Sequence, residues 1–174
     1  ANSGADTIIF TFSGAAPFTI IPSSPLPVLN DNATIIDATI GYNLGDIRIN
    51  GTNMIDGIVI QGDDCQIYGL SIYNCSEAGI EINGGRGTLI GDVNKSNFLH
   101  SNALEGIFLN NARDIGIKHN FLGTNHLENP SLGNQKGIVL LNSDTVYISE
   151  NIIVQNNLSG VSINSTNNVE IKQN

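Results

Sequence analysis

The chain has 174 residues, of which 40% are hydrophobic and 13% charged, and its formal net charge is −9. The seven Lys and Arg residues are scattered, which argues against binding to nucleic acid or to an anionic membrane, because both need clustered cations. No apolar run approaches the length of a membrane span.

The first 50 residues alternate between short strand-like runs and turns. Ile, Thr and Phe favour extended structure, whereas the Asn, Gly and Pro between the runs favour turns. Strands are predicted at 6–12, 18–21, 33–37 and 46–50. Three prolines between residues 22 and 27 form a turn-rich connector.

Two repeated patterns run through the rest of the chain. The pattern Asn-apolar-apolar-x-x-Asn recurs with first-residue spacings of 23, 31 and 23, at Asn97, Asn120, Asn151 and the start of a copy at Asn174. The longer interval carries eight extra residues, which we assign to a loop at 126–133. Gly-Ile or Gly-Val pairs open short alternating runs at Gly57, Gly79, Gly106, Gly137 and Gly160.

Period-2 alternation indicates strands with one buried face. A unit of roughly 23 residues with two or three such strands cannot bury its own apolar side, but stacked units can. We therefore predict an all-β solenoid, a single-stranded parallel β-helix of about seven coils. Asn97, Asn120, Asn151 and Asn174 would stack in an inward turn as a structural ladder joined by side-chain amides.

Several segments resemble a known group of proteins. The opening runs and the later rungs carry the resemblance, at 4–10, 18–20, 24–29, 33–37, 90–102 and 120–124. They look like the right-handed parallel β-helix repeats of the pectin-lyase-like superfamily, of the bacterial secreted or cell-surface type. The resemblance implies a right-handed coil and export from the cell. It implies no specific activity, and the Gly-rich insertions usual between rungs are short or missing here.

Asp63, Asp64 and Arg86 are the weak catalytic candidates. Asp63-Asp64-Cys65 resembles a segment of polygalacturonase-type hydrolases, and 84–87 resembles their Gly-Gly-His-Gly segment with Arg86 in place of His. Inverting hydrolases need two carboxyl groups about 6.5–9.5 Å apart. The preceding Asn-Thr-Asp of that family is missing, so we predict that Asp63 and Asp64 are turn residues.

The other polar residues give no metal signal. His100, His119 and His126 are predicted to face solvent, and Cys65 and Cys75 lack zinc-ligand spacing. These cysteines form either a disulfide or two buried thiols. No cofactor is expected, although the acidic balance would suit weak Ca²⁺ binding, as would the lyase chemistry found in the superfamily.

We predict a non-catalytic structural or adhesive module of an exported bacterial surface protein. The alternatives are a polysaccharide-active enzyme, of hydrolase or pectate-lyase type, and a glycan-binding module with Tyr68 and Tyr73 facing outward. The expected partners are a polysaccharide, a cell-surface molecule, or further copies stacked end to end. Residues 1–174 read as one domain of a longer chain, because no polar capping repeat closes the last coil.

Overall fold

The computed structural model describes residues 5–125 and 132–174, which contain only strands and turns. The strands, in chain order, are β1 (Thr7–Ile9), β2 (Phe18–Ile20), β3 (Ile35–Asp37), β4 (Ile47–Asn50), β5 (Ile58–Ile60), β6 (Gln66–Tyr68), β7 (Leu70–Tyr73), β8 (Ile80–Asn83), β9 (Leu89–Ile90), β10 (Phe98–His100), β11 (Glu105–Asn110), β12 (Arg113–Lys118), β13 (Phe121–Leu122), β14 (Lys136–Leu141), β15 (Asp144–Ser149), β16 (Ile152–Ile153), β17 (Ser159–Asn164) and β18 (Asn167–Lys172). Within this part of the chain no helix is long and apolar enough to cross a membrane.

The strands stack into three parallel sheets. Sheet A has the order β1-β3-β6-β9-β12-β15-β18, sheet B the order β2-β4-β7-β10-β13-β16, and sheet C the order β5-β8-β11-β14-β17. The chain visits the three sheets in turn, making about six coils and the first strand of a further one, where about seven coils were predicted. The register advances 31 residues from Ile115 to Val146 and 23 from Val146 to Val169, so the long interval holds an insertion.

Alternation along each strand points one set of side chains into the solenoid. In sheet C the inward set includes Ile58, Ile80, Ile107 and Ile138, which stack on one another in register and are almost wholly buried. Each fully buried Ile contributes about 1.5–3 kcal/mol relative to exposure. A slip of one residue would turn these side chains outward, so the hydrophobic pattern fixes the register.

The predicted asparagine ladder is present in the turn between sheets A and B. The Nδ2 atom of each member donates to the Oδ1 atom of the next, over 3.0 Å from Asn97 to Asn120, 3.1 Å from Asn120 to Asn151 and 2.8 Å from Asn151 to Asn174. Each Oδ1 also accepts the backbone N–H of the preceding member. The ladder therefore satisfies polar groups that the tight turn would otherwise bury unpaired.

A second ladder, which the sequence analysis did not predict, occupies the turn between sheets B and C. Its members are Asn102, Asn134 and Asn156, joined by Nδ2-to-Oδ1 bonds of 3.1 Å each. The repeat pattern would place Asn125 in the middle position. The insertion begins before that point in the coil, so Asn134 takes the ladder position.

The Gly-Ile and Gly-Val pairs mark a column of close backbone contacts beside this second ladder. A Cβ atom on Gly79 would lie 2.9 Å from the Gly106 carbonyl oxygen, and one on Gly106 would lie 2.7 Å from the Gly137 carbonyl oxygen. Stacked coils leave no room for a side chain there. Glycine therefore recurs in this column because a residue without a Cβ atom fits between the stacked coils.

Cys65 and Cys75 are both buried free thiols, which decides between the two alternatives left open by the sequence. Burial raises the pKa of the Cys75 thiol to about 12, with a further contribution from the Asp56 carboxylate. Burial likewise raises the pKa of Cys65, and neighbouring aspartates add to the effect. Both groups are therefore thiols at neutral pH, and thiols are poor nucleophiles.

We expect Ellman's reagent to leave the native protein unlabelled and to titrate two thiols after unfolding in guanidinium, because only unfolding exposes and ionises them. Rapid reaction of either cysteine in the native state would contradict the burial. Absence of reaction in the unfolded state would instead indicate a disulfide.

Candidate functional site

The outer face of sheet B carries an unusual set of side chains. Register places Arg48 beside Ser71, Ser71 beside Phe98 and Phe98 beside Phe121 in one outward column. A second outward column brings Asn50, Tyr73 and His100 side by side. Polar groups thus gather on β4, β7 and the end of β10, whereas Phe98 of β10 and Phe121 of β13 stack with ring centroids 4.8 Å apart.

These polar residues surround a cleft of about 360 Å³, called the sheet-B cleft below. It is lined by Arg48, Ser71, Tyr73, Asn74, His100 and Ser101, with Asn125 and Leu132 at one end. Asn125 and Leu132 flank the undescribed residues 126–131, and the Leu132 carbonyl oxygen accepts the Ser101 N–H at 2.7 Å. The insertion therefore leaves and rejoins the solenoid at the cleft.

His100 is held in place by three contacts within the cleft. Its Nε2 atom lies 3.3 Å from Ser71 Oγ and its Nδ1 atom 3.2 Å from Ser101 Oγ. The Tyr73 ring stacks on the imidazole with centroids 5.1 Å apart and planes 6° from parallel. The prediction that His100 faces solvent is wrong, because His100 is only 7% exposed. The adjacent strand β7 places the Tyr73 ring and the Ser71 hydroxyl against the imidazole.

The other two histidines of the sequence lie away from the cleft. His119 is partly exposed and its Nε2 atom lies 3.2 Å from Glu150 Oε2. His126 lies outside the described residues. Across residues 5–125 and 132–174, no group of three or more His, Cys, Asp or Glu side chains is arranged to hold a metal ion.

Arg48 supplies the positive charge of the sheet-B cleft. Its Nε atom donates to the Gly45 carbonyl oxygen at 3.1 Å. In the described part of the chain no carboxylate lies within 4.0 Å of the guanidinium, whereas Arg86 and Lys95 are both ion-paired. A half-buried guanidinium without a protein counter-ion can accept an oxygen-rich ligand, since its donors form a planar fork.

Asp63, Asp64 and Arg86 lie in the turn between sheets C and A, on successive coils. Asp63 Oδ1 accepts the backbone N–H of Arg86 at 2.9 Å, and Asp64 N–H donates to the Arg86 carbonyl oxygen at 2.6 Å. The Arg86 guanidinium turns away to Asp114, with Nε 2.8 Å from Oδ2. The three residues therefore meet through a turn-stabilising network, and the Asp63 carboxylate is already engaged as an acceptor.

Two other acidic residues, Glu81 and Glu105, lie in a different sheet from the turn that carries Arg86. Glu81 is on β8 and Glu105 opens β11 opposite Lys136, both in sheet C. Burial raises the pKa of each carboxyl group, and the negative charges of Asp56 and Glu77 add to the effect, while the Lys136 ammonium partly opposes it at Glu105. Asp114, in contrast, pairs with the exposed Arg86 side chain.

A comparison with protein families agrees with the coil geometry. The model described as "Right handed beta helix region" matches residues 56–174. The chain belongs to this right-handed β-helix family. No curated protein and no solved structure matches the chain. The matched region begins at residue 56, after Arg48 in the sequence. The sheet-B cleft therefore contains residues from outside and from inside the matched region.

The sheet-B cleft was missed by sequence reasoning, which searched for carboxylate pairs and metal-ligand spacing. Ser71 and His100 are 29 residues apart and meet only because one coil separates their strands. Their outward direction follows from alternation with Leu70, Ile72 and Leu99. A search for polar residues one coil apart at outward positions would have found the cleft.

Tyr68 and Tyr73 were expected to face outward, and both point away from the core. Tyr68 is nevertheless only 4% exposed, because the Lys95 ammonium lies 4.5 Å from its ring centroid and pairs with Asp37 at 2.7 Å. Burial alone would raise the pKa of Asp37, but hydrogen bonds from Lys95 and Thr39 outweigh it and lower the pKa. Tyr73 is the tyrosine that lines the cleft.

Proposed function

We propose that this β-helix is a structural and adhesive module of an exported bacterial surface protein, and that the sheet-B cleft is its contact surface. One observation carries the proposal: a half-buried arginine, with no counter-ion among residues 5–125 and 132–174, stands with Ser, Tyr, Asn and His side chains around a single concave space. Hydroxyl and amide groups beside an aromatic ring are suited to polyhydroxylated ligands. The resemblance to secreted β-helix proteins supports the location outside the cell.

A rigid solenoid suits this role. Stacked coils and two internal asparagine ladders fix the outer face of sheet B without any contribution from a ligand. A preformed surface of this kind loses little conformational entropy on binding. The ligand class favoured by the lining is a saccharide of the cell surface or its surroundings.

The alternative of chain cleavage at Asp63 and Asp64 receives less support. The Asp63 carboxylate accepts a backbone bond and the Arg86 guanidinium is paired with Asp114. The turn network accounts for all three residues without a reaction.

The proposal is tested by incubating the protein with polygalacturonate, a panel of neutral polysaccharides and bacterial cell-wall preparations, with and without Ca²⁺. We expect retention of the protein without release of reducing ends or unsaturated products. Release of reducing ends by the native protein, abolished in Asp63→Asn, would instead establish a hydrolase. Release of unsaturated products would establish a lyase. Absence of retention on every material would contradict the adhesive role.

Tyr73→Leu is expected to weaken retention at least about tenfold, since removing an interface aromatic commonly costs more than 1 kcal/mol. The matched control is Tyr147→Leu, because Tyr147 is an exposed tyrosine on sheet A, far from the cleft in the coil. Equal loss in both variants would show that the cleft is not the contact surface.

A further inference from the structure

We propose that Ser71 is a nucleophile activated by His100, and that the sheet-B cleft hydrolyses esters of small acyl groups. The inference rests on the proposed role of the cleft as the ligand site and adds a reaction to it. An activated nucleophile needs a base within hydrogen-bond reach and a third group that orients the base. The cleft provides both.

The base is correctly placed. The His100 Nε2 atom lies 3.3 Å from Ser71 Oγ, within the range seen for catalytic pairs before substrate binds. When Nδ1 carries the proton and donates to Ser101 Oγ at 3.2 Å, Nε2 is the atom that accepts from Ser71. Serine hydroxyls can donate or accept, so both contacts are compatible with this tautomer, which the proposal assigns. Ser101 is thus a positioning residue.

The imidazole is also held against rotation. The Tyr73 ring lies parallel to it at 5.1 Å, and the pairing of β7 with β10 fixes both backbones. Support from packed neighbours is what keeps a reactive group in its productive geometry. The His100 ring therefore keeps its Nε2 atom directed at Ser71 without a ligand in place.

Arg48 is the group suited to a developing negative charge. It is the register partner of Ser71 on the adjacent strand, and parallel strands lie about 4.8 Å apart. Its Nε atom is used by the Gly45 carbonyl oxygen, which leaves the Nη groups available to an oxyanion. A donor placed at such an oxyanion contributes roughly 10²–10³ in rate.

Within the described residues, this set of side chains departs from the apolar pattern of its own column. Ser71 is 2% exposed, and the next residues of its column, Phe98 and Phe121, cover the sheet with aromatic rings. Burial of a hydroxyl group and an imidazole ring costs free energy, whereas burial of apolar side chains at the same positions would not. The change from apolar to polar side chains within one column marks a site.

The reaction is balanced within the cleft. Ser71 Oγ attacks the ester carbonyl carbon while His100 Nε2 takes the hydroxyl proton, and Arg48 faces the oxyanion. The C–O bond to the alcohol then breaks, and the imidazolium returns the proton to the leaving alcohol. Water, deprotonated by His100, attacks the acyl-serine, releases the carboxylic acid and restores Ser71. The net change is ester plus water to acid plus alcohol.

The test is covalent labelling of the whole chain with a small fluorophosphonate, read by peptide mass spectrometry. We expect Ser71 to be labelled at least about 100-fold faster than Ser162, since general-base assistance contributes roughly 10²–10⁴-fold. Ser162 is the matched control because it also points outward from a strand and is more exposed. His100→Gln should abolish the difference while keeping the far-UV spectrum of the folded protein.

Saturable hydrolysis of p-nitrophenyl acetate should accompany labelling and be lost in Ser71→Ala. Labelling of Ser71 no faster than of Ser162 in the folded protein would overturn the proposal. Because the probe contains no saccharide, labelling with no polysaccharide retention would overturn only the adhesive role. Retention with an unreactive Ser71 would overturn only the reaction.

Discussion

Replacing Asn120 with alanine is expected to destabilise the fold by about 3–5 kcal/mol, among the largest effects of any single substitution. The Asn120 side chain is fully buried and donates to the Ile90 and Lys118 carbonyl oxygens at 2.8 and 2.9 Å. Its Oδ1 atom accepts the backbone N–H and the Nδ2 group of Asn97. Alanine would leave several of these buried groups unpaired, at roughly 1–3 kcal/mol each.

The measurement is urea unfolding followed by far-UV circular dichroism. Asn53→Ala is the control, because Asn53 is exposed and makes one bond of 3.3 Å to the Pro22 carbonyl oxygen. We expect that control to change stability by less than about 0.5 kcal/mol. A loss below about 1 kcal/mol for Asn120→Ala would show that the ladder contributes little.

Gly106→Ala is expected to cost about 2–4 kcal/mol through overpacking. The new Cβ atom would lie 2.7 Å from the Gly137 carbonyl oxygen, 3.0 Å from Leu122 Cδ2 and 3.1 Å from Asn134 Nδ2. Relief of the first contact requires the two coils to separate, which would also stretch the second ladder.

The control lies in the same column. A Cβ atom on Gly160 would meet only Ile153 Cγ2, at 3.2 Å. Gly160→Ala should therefore change stability by less than about 1 kcal/mol, in part because alanine loses less conformational entropy than glycine on folding. Equal destabilisation of both variants would mean that backbone conformation, and not coil spacing, selects glycine in this column.

The sequence was sufficient to predict the solenoid and its first ladder, because both follow from repetition. Asn97, Asn120, Asn151 and Asn174 recur at the coil length, and alternating Ile residues report the buried face. The second ladder was missed because the insertion displaces Asn125 from the repeat, so spacing alone could not identify Asn134. The pairing of strands in adjacent coils determines which residue occupies that ladder position.

The candidate site was harder to predict for the same physical reason. Ser71 and His100 come from different coils, and their proximity depends on register to the residue. His100 was expected in solvent because histidine on a solenoid surface usually is solvated, yet the neighbouring strand supplies a stacked ring and a hydroxyl. The weak candidates at Asp63, Asp64 and Arg86 follow from a motif resemblance, and in the structure they meet through the hydrogen bonds of one turn.

The sheet-B cleft as the contact surface is tested most directly by comparing two arginines. Arg48 lines the cleft and has no carboxylate partner in the described part of the chain, whereas Arg86 is 69% exposed and paired with Asp114 at the opposite turn. Affinity for the polysaccharide or cell-wall material that retains the protein would be measured for Arg48→Gln and Arg86→Gln. The structure predicts at least about tenfold weaker binding for Arg48→Gln, equal to about 1.4 kcal/mol, and no change for Arg86→Gln. Loss of binding in Arg86→Gln with Arg48→Gln unaffected would contradict the assignment and move the site to the turn that carries Asp63 and Asp64.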